Sequence, residues 1–171
     1  MLATGWQAGY LPHVKVPLDT PATFFDPLQT LLGFQLRRTS AALISALAED
    51  LAPLGLKPSE ATLIMLVAAN PGCTQSEISR ALRAKPANLV PLINALTAVG
   101  AIDRAAGRGR AIELSLSATG EALHAQVRKA FERNETVIAR HVPDDRREET
   151  IAILRQICAD ACCGGDAPGG A

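Results

Sequence analysis

Residues 74–116 restrict this chain more than any other stretch. Thr74-Gln75-Ser76-Glu77 reads as a capping box, in which the Thr74 side chain accepts from the amide of residue 77 and Glu77 answers back. A short helix follows, with Ile78, Ala81 and Leu82 expected to face inward, and Arg83-Ala84-Lys85-Pro86 forms a turn. The next helix runs to Val99, its buried stripe being Leu89, Leu92, Ile93, Leu96 and Val99. Gly100-Ala101-Ile102 then leads into the basic connection Asp103-Arg104-Ala105-Ala106-Gly107-Arg108-Gly109-Arg110. Beyond it Ile112, Leu114 and Leu116 alternate at period two, which predicts a strand. Two short helices around a tight turn, then two strands with arginines between them, describe a winged helix-turn-helix.

The second of these helices is the candidate reader of DNA. Its outward side carries Ala87, Asn88, Val90, Pro91 and Asn94. Asn can bond adenine bidentately, and Ala or Val can touch a thymine methyl. Asn88 also fits an N-cap. If Asn88 caps, Pro91 falls in the first turn, where its missing N–H costs nothing. If the helix starts at Pro86, Pro91 lies inside it and the bond to the Ala87 carbonyl is lost. The residues leave both starts open. The Gly-rich tip with flanking arginines suits a wing that follows a phosphate backbone or reaches a minor groove. The candidate DNA contacts are therefore Thr74, Gln75, Lys85, Ala87, Asn88, Val90, Pro91, Asn94, Arg104, Arg108 and Arg110.

Charge supports this only locally. The chain has 17 basic and 17 acidic residues, so no global field draws it to nucleic acid. Between Arg80 and Arg110, however, six cations face the single acid Asp103. An ordinary solvated basic face would look the same by charge alone.

On either side lie long helical patterns. Asp26-Pro27 is a helix start, and Leu28, Leu31, Leu32, Leu36, Leu43, Ile44, Leu47 and Leu51 recur at helical steps until Pro53 and Gly55. A helix from 26 to about 52 would be nearly 40 Å long at ~1.5 Å per residue, more than a small core needs, which points to subunit contact. Pro58-Ser59-Glu60 opens another helix, ended by Asn70-Pro71-Gly72. Ser117 caps a long helix from Ala118 to about His141, with Leu123, Val127, Phe131 and Ile138 apolar. After Pro143 a last helix should turn Ile151, Leu154 and Ile157 inward. Residues 1–25 carry Trp6, Tyr10 and prolines 12, 17 and 21, the mark of an extended arm that packs on something, with a disordered leader as the alternative. The Gly/Pro/Ala-rich end, 162–171 with its last cysteines, is expected to be a flexible tail.

Several classes are set aside. There is no Gly-rich phosphate loop, Ser-nucleophile motif, His-x-x-x-His pair or carboxylate cluster, so no enzyme, cofactor or catalytic residue is expected. No apolar run approaches ~20 residues and no secretory leader opens the chain, which makes the cytoplasm the expectation. The four cysteines are then free thiols. A thiol- or metal-responsive regulator using Cys158, Cys162 and Cys163 is the alternative, since cysteines three or four apart share a helix face. A winged helix used only for protein contact is another.

In this order of elements, residues 27–160 resemble the MarR family of bacterial transcriptional regulators. The likeness rests on Thr74–Leu82, Asn88–Leu96, Gly100–Arg104 and the wing-to-helix junction Leu114–Gly120. It implies a mainly α fold with a small β-hairpin wing and a homodimer. Residues 26–56 and 118–161 would form the helical dimerisation region, and 57–117 the winged helix. It also implies a pseudo-palindromic double-stranded DNA operator and release by a small aromatic or other anionic ligand. No metal is expected. The ligand would lie between dimer region and winged helix, with His13, Phe34, Arg37, Arg38 and Met65 as its candidate contacts. The chain departs from the family at the wing tip, which lacks an acidic-then-arginine pair. It departs again at Pro91, where many members place a basic residue.

Overall fold

The computed structural model describes residues 26–107, 109 and 111–163, with side chains to residue 161. In order these form α1 (Leu32–Leu51), a 3₁₀ turn (Ala52–Leu54), α2 (Pro58–Ala69), β1 (Cys73–Thr74), α3 (Gln75–Leu82), α4 (Pro86–Ala98), β2 (Ile102–Ala106), β3 (Ile112–Leu116), α5 (Ala118–Ala139) and α6 (Asp144–Cys163). The fold is mainly helical with one small antiparallel sheet of order β1-β3-β2. The extended arm, His13, Arg108, Arg110 and the tail 164–171 lie outside the described residues, as do the side chains of Cys162 and Cys163.

The chain divides into two compact units, Met1–Leu43 and Ile44–Ala171. In the first, Asp26 accepts from the Leu28 amide at 2.9 Å and Leu31 donates to the Leu28 carbonyl at 3.1 Å. Asp26-Pro27 therefore closes a local turn, and α1 begins at Leu32 rather than at 26. An Asp-Pro pair specifies only a turn, and its continuation into helix is decided by the residues beyond it. Leu28, Leu31 and Leu32 are exposed.

The second unit contains the core. Leu47 and Leu51 at the end of α1 join Ala61, Leu63, Ile64 and Val67 of α2, Ile78 of α3, Leu89, Ile93 and Leu96 of α4, Ile102 and Leu114 of the sheet, and Val127 and Ala130 of α5. Burial of such side chains contributes roughly 1.5–3 kcal/mol each, so these contacts fix where the exposed faces of α3, α4 and the sheet point. Gly55, with φ of 67°, ends the 3₁₀ turn in the left-handed conformation that glycine adopts without strain. Two expectations of inward side chains fail. Ala81 and Leu82 of α3 are exposed, because that eight-residue helix buries only Ile78. Ile151, Leu154 and Ile157 of α6 are also exposed, together with Ile153. Helical spacing shows that a face is apolar; it does not supply the surface that covers it.

Candidate nucleic-acid interface

α3 starts as its sequence dictates. Thr74 is the N-cap; its hydroxyl oxygen accepts from the Glu77 amide at 3.4 Å, while the Glu77 carboxylate accepts from the Thr74 amide at 2.7 Å. These bonds to Thr74 hold the Glu77 carboxyl below its ordinary pKa, with a smaller contribution from Arg80. The helix ends at Arg83, which has φ of 49°, a left-handed conformation costing a non-glycine residue about 1–2 kcal/mol. The turn is closed by the Ala84 amide donating to the Ser79 carbonyl at 3.0 Å and by the Ser79 hydroxyl donating to the Ala84 carbonyl at 2.6 Å.

α4 settles what the sequence left open. Lys85 is its N-cap and Pro86 its first residue, and the Asn88 amide donates to the Lys85 carbonyl at 2.9 Å. Asn88 is thus the third residue of the helix and not its cap. Its amide group remains exposed on the first turn, where a helix in the major groove meets base edges. Pro91 lies inside the helix and gives up the bond to the Ala87 carbonyl. Both residues are exposed. Leu89, Ile93 and Leu96 are buried, while Leu92 is half-buried and Val99, at the C-cap, is 61% exposed. Lys85, Ala87, Asn88, Val90, Pro91 and Asn94 share the outer face and are all exposed.

Gln75 and Arg104 tie that face to its surroundings. The Gln75 amide donates to the Pro86 carbonyl at 3.0 Å, linking the starts of α3 and α4. The Arg104 guanidinium donates to Asn94 Oδ1 at 2.6 Å, linking β2 to α4. The sequence points both residues at DNA, and the structure adds these internal roles.

The sheet has one strand more than expected. β1 pairs antiparallel with β3, Cys73 opposite Leu114 and Thr74 opposite Glu113, so the cap of α3 is also part of the sheet. A two-residue strand carries no alternation that sequence could show. β2 and β3 pair from Ile102–Leu116 to Ala106–Ile112, and the Gly107 amide donates to the Ala111 carbonyl at 3.0 Å. At the other end, Ser117 accepts from the Gly120 amide and so caps α5, while its hydroxyl donates to the Gly100 carbonyl. Its own amide donates to the Ala101 carbonyl at 3.1 Å. Gly120 packs so closely there that a Cβ would lie 2.0 Å from the Ala101 carbonyl oxygen.

Residues 54–111 match the MarR family model. Over that stretch the chain is similar to the MarR family. Among solved structures, the transcriptional repressor CouR bound to a 23-mer DNA duplex is 28% identical, with a TM-score of 0.69 over 77% of this chain and 94% of that one. CouR bound to p-coumaroyl-CoA is 27% identical, with a TM-score of 0.67 over 80% and 97%. A Mycobacterium tuberculosis MarR family protein in complex with p-aminosalicylic acid shares the fold at 24% identity, with a TM-score of 0.57 over 74% and 97%. No curated protein sequence matches the chain.

The candidate effector residues that the structure describes fall in both units. In the first, the guanidinium carbons of Arg37 and Arg38 lie 5.2 and 5.8 Å from the Phe34 ring centroid, within cation–π range. In the second, Met65 lines an open groove of about 410 Å³ with Phe131, Ala139, Thr136 and the charged pairs Arg128–Glu132 and Arg147–Glu135. Among the described residues no group of three or more His, Cys, Asp or Glu side chains comes together to hold a metal. No single helix there is long and apolar enough to cross a membrane.

Proposed function

We propose that this chain is a homodimeric DNA-binding transcriptional regulator of the cytoplasm, without catalytic activity: a repressor that a small aromatic or other anionic ligand releases from a pseudo-palindromic operator. One observation carries the reading: the exposed outer face of α4, from Ala87 to Asn94, stands between Lys85 and Arg104 on a MarR-type winged helix. In this reading α4 enters the major groove, Asn88 and Val90 meet base edges, and Arg104 with the wing arginines Arg108 and Arg110 neutralises phosphates. Thr74 and Gln75 approach the backbone from the start of α3. The DNA-bound CouR supports it, as a relative of similar fold engaged with a duplex.

Dimerisation supplies a second copy of α4 about one DNA turn, ~34 Å, from the first. Exposed apolar side chains support it: Leu28, Leu31, Leu32 and Ile44 in one part of the sequence, and Ile151, Ile153, Leu154 and Ile157 in α6. A second copy of the chain covers such faces. For the effector, the p-coumaroyl-CoA complex of CouR favours an aromatic acid or its thioester. His13, Phe34, Arg37, Arg38 and Met65 remain its proposed contacts. A ligand changes DNA affinity only if it binds the two α4 spacings unequally.

A mobility-shift titration on the protein's own upstream region tests the reading, run across salt concentrations and with a panel of aromatic acids and acyl-CoA thioesters. Each neutralised phosphate contributes a slope of about −0.9 in log K against log salt. R108A/R110A should flatten that slope by about 2 and weaken all sequences alike. A salt-independent wild type would leave a protein-contact module instead. Release by peroxide or zinc, with no response to the acids, would favour Cys158, Cys162 and Cys163 as the sensor.

A further inference from the structure

The bond between Arg104 and Asn94 joins two residues that both face the proposed DNA side. In the β2–β3 register Ile102, Arg104 and Ala106 oppose Leu116, Leu114 and Ile112. Residues paired this way share a face, so Arg104 stands on the same side of the sheet as buried Ile102 and Leu114. It sits where that apolar face leaves the core and becomes exposed. A crevice of about 80 Å³ lies there, lined by Val90, Ile93, Asn94, Arg104, Ile112 and Leu114 among others. Arg104 is exposed there, and α4 offers its guanidinium an acceptor in Asn94 Oδ1 at 2.6 Å.

We propose that Asn94 and Arg104 form a clasp fixing the wing to the reading helix, with Asn94 a positioning residue and not a reader of bases. The inference rests on the reading of α4 as the helix that enters DNA. Two arguments separate it from a base-reading role. Arginine has five donors and no acceptor, so the atom of Asn94 that faces it must be the carbonyl oxygen. Bidentate pairing with adenine needs that oxygen and the amide nitrogen together; the oxygen is already engaged in a short, charge-assisted bond. Position agrees. Asn94 lies eight residues beyond Pro86, about 12 Å along the axis, whereas base contacts come from the first turns of a recognition helix. Asn88, on the first turn, has no side-chain partner among the described residues. Arg104 keeps other N–H groups for a phosphate while the clasp sets the angle from which it approaches.

The test compares wild type, N94A, N94D, R104A and N94A/R104A of the full chain. Affinity is measured over an operator and its single-base-pair variants, alongside hydrogen exchange of the free protein. N94A should weaken binding about threefold or more on every operator, leaving the ranking of bases unchanged. N94D keeps an acceptor for Arg104 and should also keep the ranking. The double variant should bind no worse than R104A, because Asn94 acts only through Arg104. Loss of discrimination at one base pair in N94A, or multiplying losses in the double variant, would overturn the clasp. Hydrogen exchange judges it without DNA: N94A and R104A should each speed exchange of the amides in 102–106 and 112–116 by about threefold, with α5 unaffected. Unchanged wing exchange would refute it. Wild type that binds no DNA, but whose wing loosens in both variants, would refute the regulator reading and keep the clasp.

Discussion

Replacing Gly120 by Ala opposes two well-characterised effects, and the geometry decides between them. In an isolated helix the change is favourable by up to about 1 kcal/mol. In this protein the added Cβ would sit 2.0 Å from the Ala101 carbonyl oxygen and 3.2 Å from Leu116 Cβ. Relieving the first contact requires the start of α5 and the segment before β2 to part by about 1 Å, backbone against backbone, with no flexible side chain to give way. Overpacking of this kind costs about 1–3 kcal/mol. The same movement stretches the bonds from Ser117 to the Ala101 and Gly100 carbonyls, worth about 1 kcal/mol each. After the propensity gain, a net loss of about 2–4 kcal/mol remains. At about 2–4 °C per kcal/mol for a chain of this size, G120A should melt roughly 5–15 °C below wild type. Circular dichroism at fixed protein concentration measures this, concentration being held because the midpoint of the proposed dimer depends on it. A midpoint equal to or above that of wild type would show that the junction between α5 and β2 has room for a methyl group.

Two further perturbations probe the start of α3. T74A removes the N-cap acceptor and should cost about 1 kcal/mol, read from a denaturant midpoint at pH 7. E77Q should erase one acid-limb contribution: because the folded-state pKa of Glu77 is depressed below 4.5, its stabilisation is present above that value and is lost as pH falls through the folded pKa. Wild type and E77Q should therefore converge in stability on acidification, and parallel curves would refute the link. Burial, helped by the charge of Glu77, pushes the Cys73 thiol above its ordinary pKa of 9.0, whereas Cys158 is exposed. Iodoacetamide should accordingly modify Cys158 in the native protein and Cys73 only on unfolding, as peptide mass mapping would show.

Much of the winged helix is legible in sequence because its signals are local. The capping box at Thr74–Glu77, the turn at Asn70–Gly72 and the cap at Ser117 each involve side chains within a few residues of the backbone they satisfy. Where two local signals compete, sequence stalls: Pro86 as a first helical residue and Asn88 as a cap cannot both hold, and Pro86 prevails. Asp26-Pro27 misleads for a related reason, since a turn and a helix begin alike. Ile151 and Leu154 show the limit of periodicity, which cannot say what lies opposite an apolar face. The Arg104–Asn94 bond lies beyond sequence altogether, because it depends on which face of β2 meets α4, and register decides that.

The wing leaves and rejoins the body of the protein at one place. Ser117, at the end of the excursion, is bonded to Gly100 and Ala101 at its beginning, so the intervening strands form a loop whose base is already closed. Added residues at the tip would not pull the helices apart, and even doubling the loop would cost only about 0.6 kcal/mol in closure entropy. Length and charge at the tip are in this sense free variables. A chain with this foundation can vary the reach of its wing without refolding α3 and α4.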